Sequence, residues 1–147
     1  MIEYAVRVYA DGDKVWYLNG KLHREDGPAC EYANGYKFWY LNDQLHREDG
    51  PAIEFADGSK EWYLNGKKHR EDGPACEYSN GDKSWHLKGK LHREDGPAIE
   101  YSNGDKSWWL NGVQYTEEEF NKKTSKTVEL TVAEICERLG YNVKVVK

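Results

Sequence analysis

A chain of 147 residues has room for one domain of ordinary size, or for a repeat array with a small appendage. Only 38% of its residues are hydrophobic but 14% are aromatic, which excludes a thick aliphatic core and favours a thin sheet tiled by large rings. The net charge of −5 disfavours a nucleic-acid or anionic-membrane surface, and no apolar run approaches the length of a transmembrane helix.

The cysteines indicate a reducing environment. Cys30 and Cys76 occupy one slot of a repeat, which Ile53 and Ile99 fill in the alternating units. A position that takes Cys or Ile is typical of a small apolar core slot. The odd number of cysteines and the absence of a secretory signal predict a cytoplasmic protein with reduced thiols.

The chain opens with a predicted β-hairpin. Residues 4–9 alternate and are rich in Val and Tyr, Asp11-Gly12 supplies a turn, and residues 14–18 form the returning strand. Arg7 stands in the Cys/Ile slot, as is typical of a terminal capping unit.

The phrase His-Arg-Glu-Asp-Gly-Pro-Ala then occurs four times with a fixed period of 23 residues. Such a period indicates stacked supersecondary units. A catalytic residue is needed once, whereas a residue that every unit needs for folding appears in every unit. We therefore interpret the repeated Trp, His and Gly as structural. They are Trp16, Trp39, Trp62, Trp85 and Trp108; His23, His46, His69 and His92; and Gly27, Gly50, Gly73 and Gly96.

The register within a unit is predicted from Asn34-Gly35. As a two-residue type I′ turn, this pair places Cys30 opposite Trp39, so that both share one face of the sheet. The Trp residues then form a ladder on the core face. The variable slot of Phe38 faces the other way, together with the slot of Tyr40.

The segment between hairpins could form a third strand or a structured connector. Three full strands would reverse alternate units and make their environments unequal, so we favour two strands plus a connector. Its Pro begins the next strand, where the missing N–H matters least. The preceding Gly is expected to permit a backbone turn closed to other residues.

The repeat ends near residue 115, and a different segment follows. Thr116 with Glu119 forms a capping box that predicts a short helix, and Thr131 with Glu134 predicts a second. Residues 141–146 alternate as a last strand. The predicted fold is therefore mostly β. It is an elongated antiparallel meander of about five stacked β-hairpins over residues 1–115, with a small helix-helix-strand cap over residues 116–147. This cap covers the open sheet edge or serves as a docking element.

The 23-residue period, the hairpin tipped by Asn-Gly or Asp-Gly, the aromatic strand and the Gly-bearing connector resemble the MORN repeat and its bacterial and phage variant. The resemblance covers about residues 1–115. It implies an extended, twisted antiparallel sheet that serves as a scaffold, and an inhibitor of a host defence or toxin protein. Lipid binding is linked to some members, but the acidity of this chain disfavours it.

Metal binding and catalysis are not expected. Zinc needs three or four ligands that converge, whereas each unit offers one His, and neighbouring units lie about 9–10 Å apart. Paired Glu and Asp residues fail as a catalytic site because they recur in every unit. No nucleophile–base or phosphate-loop pattern is present. We therefore predict a protein that is not an enzyme and has no cofactor.

A semi-apolar strip is the candidate binding surface. Strips of this kind mark partner sites on soluble proteins. We predict a scaffold that binds another protein there. The alternatives are a nucleotide or sugar binder and a self-assembling sheet that forms homo-oligomers through its edges. The candidate binding residues are Tyr17, Tyr40, Tyr63, His86 and Trp109, with Leu22, Leu45 and Leu91 nearby.

Overall fold

A computed structural model describes residues 3–125 and 132–140 of the chain. Twelve strands form one antiparallel meander sheet, and three short two-stranded hairpins extend from it. The helices lie at the C-terminal end of the chain. The predicted mostly β fold of stacked hairpins is confirmed.

The elements follow the 23-residue period. The strands are β1 (Ala5–Val8), β2 (Lys14–Leu18), β3 (Lys21–Leu22), β4 (Cys30–Glu31), β5 (Lys37–Phe38), β6 (Tyr40–Leu41), β7 (Gln44–Leu45), β8 (Ile53–Glu54), β9 (Lys60–Glu61), β10 (Tyr63–Leu64), β11 (Lys67–Lys68), β12 (Cys76–Glu77), β13 (Lys83–Ser84), β14 (His86–Leu87), β15 (Lys90–Leu91), β16 (Ile99–Glu100), β17 (Lys106–Leu110) and β18 (Val113–Tyr115). The helices are α1 (Glu117–Thr124) and α2 (Val132–Leu139).

The hairpin tip corrects the predicted register. Gly35 N–H donates to the carbonyl of Tyr32, and Tyr32 N–H donates to the carbonyl of Tyr36. Gly35 has φ +95°, so the tip is a three-residue loop with a bulge and not a two-residue type I′ turn. Cys30 therefore pairs with Phe38, and the predicted pairing with Trp39 is wrong.

This shift of one residue exchanges the faces. Cross-strand partners share a face and side chains alternate along a strand, so Phe38 and Tyr40 lie with Cys30. Their rings stack with centroids 6.4 Å apart, which fits that placement. Trp39 lies on the opposite face, and the predicted Trp ladder on the core face is wrong.

The type I′ turn lies after the second strand of each unit. Asn42 and Asp43 have φ of +50° and +65°, and Leu41 pairs with Gln44 across them. The return strand β7 has only two residues and pairs with β6 outside the main sheet. The chain then turns into the connector, so every unit keeps the same direction, as expected for two strands per unit in the main sheet. The segment after the turn nevertheless forms a short third strand, which the favoured prediction left out.

The core is thin and lies within the sheet. The buried apolar residues of the sheet are Val15, Ala29, Cys30, Ala52, Ile53, Ala75, Cys76 and Ala98. Cys30 and Cys76 are buried thiols, and burial raises the pKa of the Cys30 thiol. Three of the four residues in the Cys/Ile slot, Cys30, Ile53 and Cys76, are thus part of the core, as predicted, whereas Ile99 is only half-buried.

The two ends of the sheet differ. At one end, β1 is the outermost strand and all four of its residues are exposed. At the other, α1 packs against β17 and β18, and Phe120 is buried. The capping box of Thr116 and Glu119 is present, with both reciprocal hydrogen bonds. The predicted strand over residues 141–146 lies outside the described residues.

Candidate functional site

Each connector folds around its arginine. The Arg70 guanidinium lies over the Trp62 ring, 4.0 Å from the ring centroid. Its Nε donates to Asp72 at 2.9 Å, and its Nη1 donates to the carbonyl of Pro74 at 3.1 Å and to Glu77 at 2.8 Å. These hydrogen bonds tie the loop to the strand that follows it.

The same arrangement occurs in four units. The distances from arginine Cζ to the Trp ring are 4.2, 4.1, 4.0 and 3.9 Å for Arg24, Arg47, Arg70 and Arg93. In each unit, the hydrogen bond from the arginine lowers the pKa of the following Asp. We call this side of the sheet the arginine face. Its residues are Trp16, Trp39, Trp62 and Trp85 with the four arginines.

The glycine of the connector permits close contact with the arginine. A Cβ on Gly27 would lie 2.8 Å from Cζ of Arg24. Its φ lies outside the left-handed region, and so do those of Gly50, Gly73 and Gly96. The expectation that these glycines permit a special turn is therefore wrong. Each lets the guanidinium lie between its Cα and the Trp ring.

The connector histidine links its unit to the next. Nδ1 of His69 accepts a hydrogen bond from the backbone N–H of Lys88 at 3.0 Å. His23, His46 and His92 make the same bond to Asn42, Asn65 and Asn111. The neutral ring therefore carries its proton on Nε2. The predicted structural role of these histidines rests on this link between units.

Three similar grooves lie between successive connectors on the arginine face. Their volumes are 720, 730 and 710 Å³ in chain order. In the first, Trp39 and Leu41 line the groove, and the connectors that begin at His23 and His46 form its walls. Each groove therefore combines an aromatic ring with several carboxylates.

The opposite side of the sheet carries two aromatic rows. One row is at the hairpin tips and comprises Tyr9, Tyr32, Phe55, Tyr78 and Tyr101. Its tyrosines are 38–46% exposed. The second row is the predicted one, Tyr17, Tyr40, Tyr63, His86 and Trp109, and it is half-buried. Leu22 and Leu45 pair with Tyr17 and Tyr40, as predicted. We call this side the tyrosine face.

The tyrosine face changes along its length. In the first half, the rings of Tyr32, Tyr36, Phe38 and Phe55 form a cluster of edge-to-face and stacked pairs. Such ring pairs contribute more stabilisation than the burial of their apolar area alone would give. The face is therefore apolar there.

A polar cluster that is not repeated lies in the middle of the tyrosine face. The carboxylate of Glu61, which is only 8% exposed, accepts hydrogen bonds from Tyr63 and Tyr78, each at 2.9 Å, and from Lys68 at 3.1 Å. Burial raises the pKa of Glu61, but the hydrogen bonds and the Lys68 charge outweigh it, so the pKa lies below the usual value. Burial and the bond to Glu61 raise the pKa of Tyr63 to about 12. The cluster is ionic at neutral pH, and its hydrogen bonds are satisfied internally.

His86 borders this cluster. Its Nε2 lies 3.1 Å from Oγ of Ser84, and its buried Nδ1 has no hydrogen-bond partner among the residues that the structure describes. Burial and then the charge of Lys68 lower the pKa of His86 to about 4. The ring is therefore neutral at neutral pH.

The residues of this cluster could have been found as departures from the repeat. Glu61 stands where the other units have Val15, Phe38, Ser84 and Ser107, and Lys68 stands where three others have Leu. The predicted register places the slot of Phe38 and Glu61 away from the core, where a change of residue carries little meaning, and that placement is wrong. At the end of the row, Trp109 donates to Oγ of Ser107 at 2.6 Å. Trp108 has no arginine after it, because Thr116 stands in that position.

The fold and both surfaces define a β-hairpin repeat sheet. No model of a known protein family matches the chain, and no curated protein matches it. Within residues 3–125 and 132–140, no His, Cys, Asp or Glu group is arranged to hold a metal ion. Neither described helix has the length and apolar character needed to cross a membrane.

Proposed function

We propose that this protein is a non-enzymatic scaffold that binds another protein through its tyrosine face. The observation that carries the proposal is the row of exposed rings at Tyr9, Tyr32, Tyr78 and Tyr101. Large exposed aromatic side chains that recur along one face are typical of protein interfaces, where tyrosine is enriched.

The geometry of the row supports an extended partner surface. Successive units are two strands apart, so the rings recur about every 9–10 Å. A tyrosine ring offers apolar area and a hydroxyl, and it loses little conformational freedom on binding. The half-buried row beside it widens the apolar strip.

The polar cluster supports binding rather than catalysis. The Glu61 carboxylate is held by Lys68, Tyr63 and Tyr78, so its protein partners already use its hydrogen-bonding capacity. Such a group gives a binding surface a distinct central feature, which favours one partner over others. The resemblance to the MORN repeat adds the expectation that the partner is a host defence or toxin protein.

Site-specific photocrosslinking in the cell that produces the protein tests this proposal. Benzoylphenylalanine replaces Tyr32 or Tyr101 on the tyrosine face, and Glu48 or Glu71 on the arginine face. The expected result is that one protein is crosslinked from both tyrosine positions and that this same protein is not crosslinked from either glutamate position. A partner captured only from the glutamate positions, or from none of the four, contradicts the proposal.

Substitution at the same positions measures the affinity. With the captured partner, Tyr32→Ala combined with Tyr101→Ala is expected to weaken binding by about tenfold or more, because each buried ring at an interface contributes on the order of 1–2 kcal/mol. The matched control is Tyr32→Phe with Tyr101→Phe, which keeps both rings and is expected to bind within about threefold of wild type.

A further inference from the structure

We propose that the three grooves of the arginine face bind tyrosine side chains of an extended basic segment of a partner protein, and that Tyr4 fills the corresponding place in the first unit. This site lies on the face opposite the one proposed above to bind a protein, and it does not depend on that proposal. It rests on a comparison between the first connector and the three that follow.

The first connector has no connector before it, and Tyr4 lies against it instead. The Tyr4 ring centroid is 6.3 Å from that of His23, and the Tyr4 hydroxyl accepts a hydrogen bond from the N–H of Glu25 at 3.4 Å. In the later units, the residues that match His23 and Glu25 line the grooves. In the first groove these are His46 and Glu48. A phenol ring of the protein itself therefore occupies the space that corresponds to a groove.

The three later grooves offer the same contacts, and no residue that the structure describes fills them. The backbone N–H groups of Glu48, Glu71 and Glu94 have no hydrogen-bond partner among residues 3–125 and 132–140. The side chains of His46, His69 and His92 are 15, 14 and 11% exposed, against 8% for His23. A phenol in each groove would accept from the free N–H and cover the imidazole, as Tyr4 does.

The charge of the grooves indicates which residues would stand next to the tyrosine of the bound segment. The walls of the first groove carry Glu25, Asp26, Glu48 and Asp49 against Arg24 and Arg47. Both arginines are already held by hydrogen bonds to their own loops. The excess of carboxylates favours lysine or arginine next to the tyrosine.

The spacing of the grooves indicates the backbone conformation of the bound segment. Neighbouring grooves are two strands, or about 9–10 Å, apart. A polyproline II helix advances about 9.3 Å in three residues and returns every third side chain to the same side. The matching ligand is therefore a basic polyproline II segment with tyrosine at every third position, which three repeats of Tyr-Lys-Pro reproduce.

NMR of the histidine ring signals tests this proposal, because each groove has its own histidine. All five histidines of the chain are followed during titration with the peptide of three Tyr-Lys-Pro repeats. The signals of His46, His69 and His92 are expected to shift, while those of His23 and His86 stay in place. No shift at millimolar peptide, or a shift of His86 on the tyrosine face alone, overturns the proposal.

Control peptides separate the tyrosine contact from simple charge attraction. A peptide of three Ser-Lys-Pro repeats has the same charge without rings and is expected to bind at least about tenfold more weakly. Equal binding of the two peptides would mean that only the carboxylates attract the ligand, which contradicts a tyrosine site.

Removal of Tyr4 supplies the sharpest internal test. In Tyr4→Ala the place beside His23 becomes open, so the His23 signal is expected to shift with the other three on addition of peptide. In Tyr4→Phe the ring still fills that place, and His23 is expected to stay silent. A folded Tyr4→Ala protein in which His46, His69 and His92 respond but His23 does not would refute the equivalence of Tyr4 and the ligand.

Discussion

The two faces of the sheet are built from the same 23-residue unit but differ in how far they repeat. On the arginine face, the stacking of arginine on Trp recurs in four units at nearly the same distance. On the tyrosine face, the slot of Phe38 changes to Glu61 and Ser84, and the slot of Tyr40 changes to His86. Contacts that hold each unit together must repeat, whereas a face that varies can serve one particular partner.

The largest expected effect is the loss of one arginine from the repeated face. Arg70→Ala removes the stacking on Trp62 and the hydrogen bonds to Asp72, Pro74 and Glu77, so we expect a loss of about 3 kcal/mol in the free energy of unfolding. Urea unfolding measures it. Arg47→Ala has the same contacts and should lose the same amount, whereas Lys67→Ala, at an exposed position, should change little. Unequal losses for the two arginines would break the equivalence of the units.

The next effect tests why the connector needs glycine. In Gly27→Ala the new Cβ lies 2.8 Å from Cζ of Arg24 and displaces the guanidinium from the Trp16 ring, with an expected loss of about 2 kcal/mol. Gly58→Ala is the matched control. Its Cβ meets nothing within 4 Å, but its φ of +87° is left-handed, so we expect a loss of about 1 kcal/mol. Thermal unfolding of both variants compares the two causes, and a smaller loss for Gly27→Ala would exclude close contact as the reason.

The variable face is tested by making its middle resemble the preceding unit. Lys68→Leu leaves the Glu61 carboxylate without its counter-ion and should lower the free energy of unfolding by about 1–3 kcal/mol. Adding Glu61→Phe restores the pair found at Phe38 and Leu45, and the double variant should lie within about 1 kcal/mol of wild type. Chemical denaturation of both proteins checks this. A double variant less stable than the single one would mean that the polar cluster is needed for folding rather than for recognition.

The smallest effect concerns pH. The folded-state pKa of His86 is about 4, below its unfolded value of 6.5, so the unfolded chain binds more protons between these values and stability falls as pH drops through that window. Because the ring is only partly buried and Glu61 opposes the shift, we expect a contribution of about 1–2 kcal/mol. His86→Tyr, which copies Tyr40 and Tyr63, should remove that part of the pH dependence. Unfolding at pH 7 and pH 4.5 measures the difference, and equal pH dependence in both proteins would rule out His86 as its source.

The meander could be predicted because the period fixes which strands are neighbours. The faces could not, because Asn-Gly serves two different turns. At residues 34 and 35 it ends a three-residue loop, and at residues 65 and 66 it forms a two-residue turn with both φ values positive. One residue of loop length decides which face a side chain occupies.

The candidate binding residues could likewise be predicted only in part from the sequence. The row of Tyr40 could be placed on one face because its slot repeats, and Leu22 and Leu45 lie beside it as expected. The tip row of Tyr32 was not among the predicted binding residues, although four of its five rings are exposed. Glu61 and Lys68 meet because β10 follows β9 along the chain and pairs with β11, which places Lys68 opposite Tyr63. Composition alone does not reveal this. Breaks in the repeat were the available signal for the polar cluster.

The histidine link between units has a consequence for the evolution of the chain. Each such bond joins residues 19 positions apart, and the most distant hydrogen bond in sequence among the described residues spans 22 positions. Every contact of this kind therefore ends within the next unit. Duplication or deletion of one 23-residue segment would leave the repeated contacts of the remaining units satisfied and move the two ends apart or together by about 9–10 Å. The length of the protein can therefore change during evolution by whole units, without new contacts inside each unit.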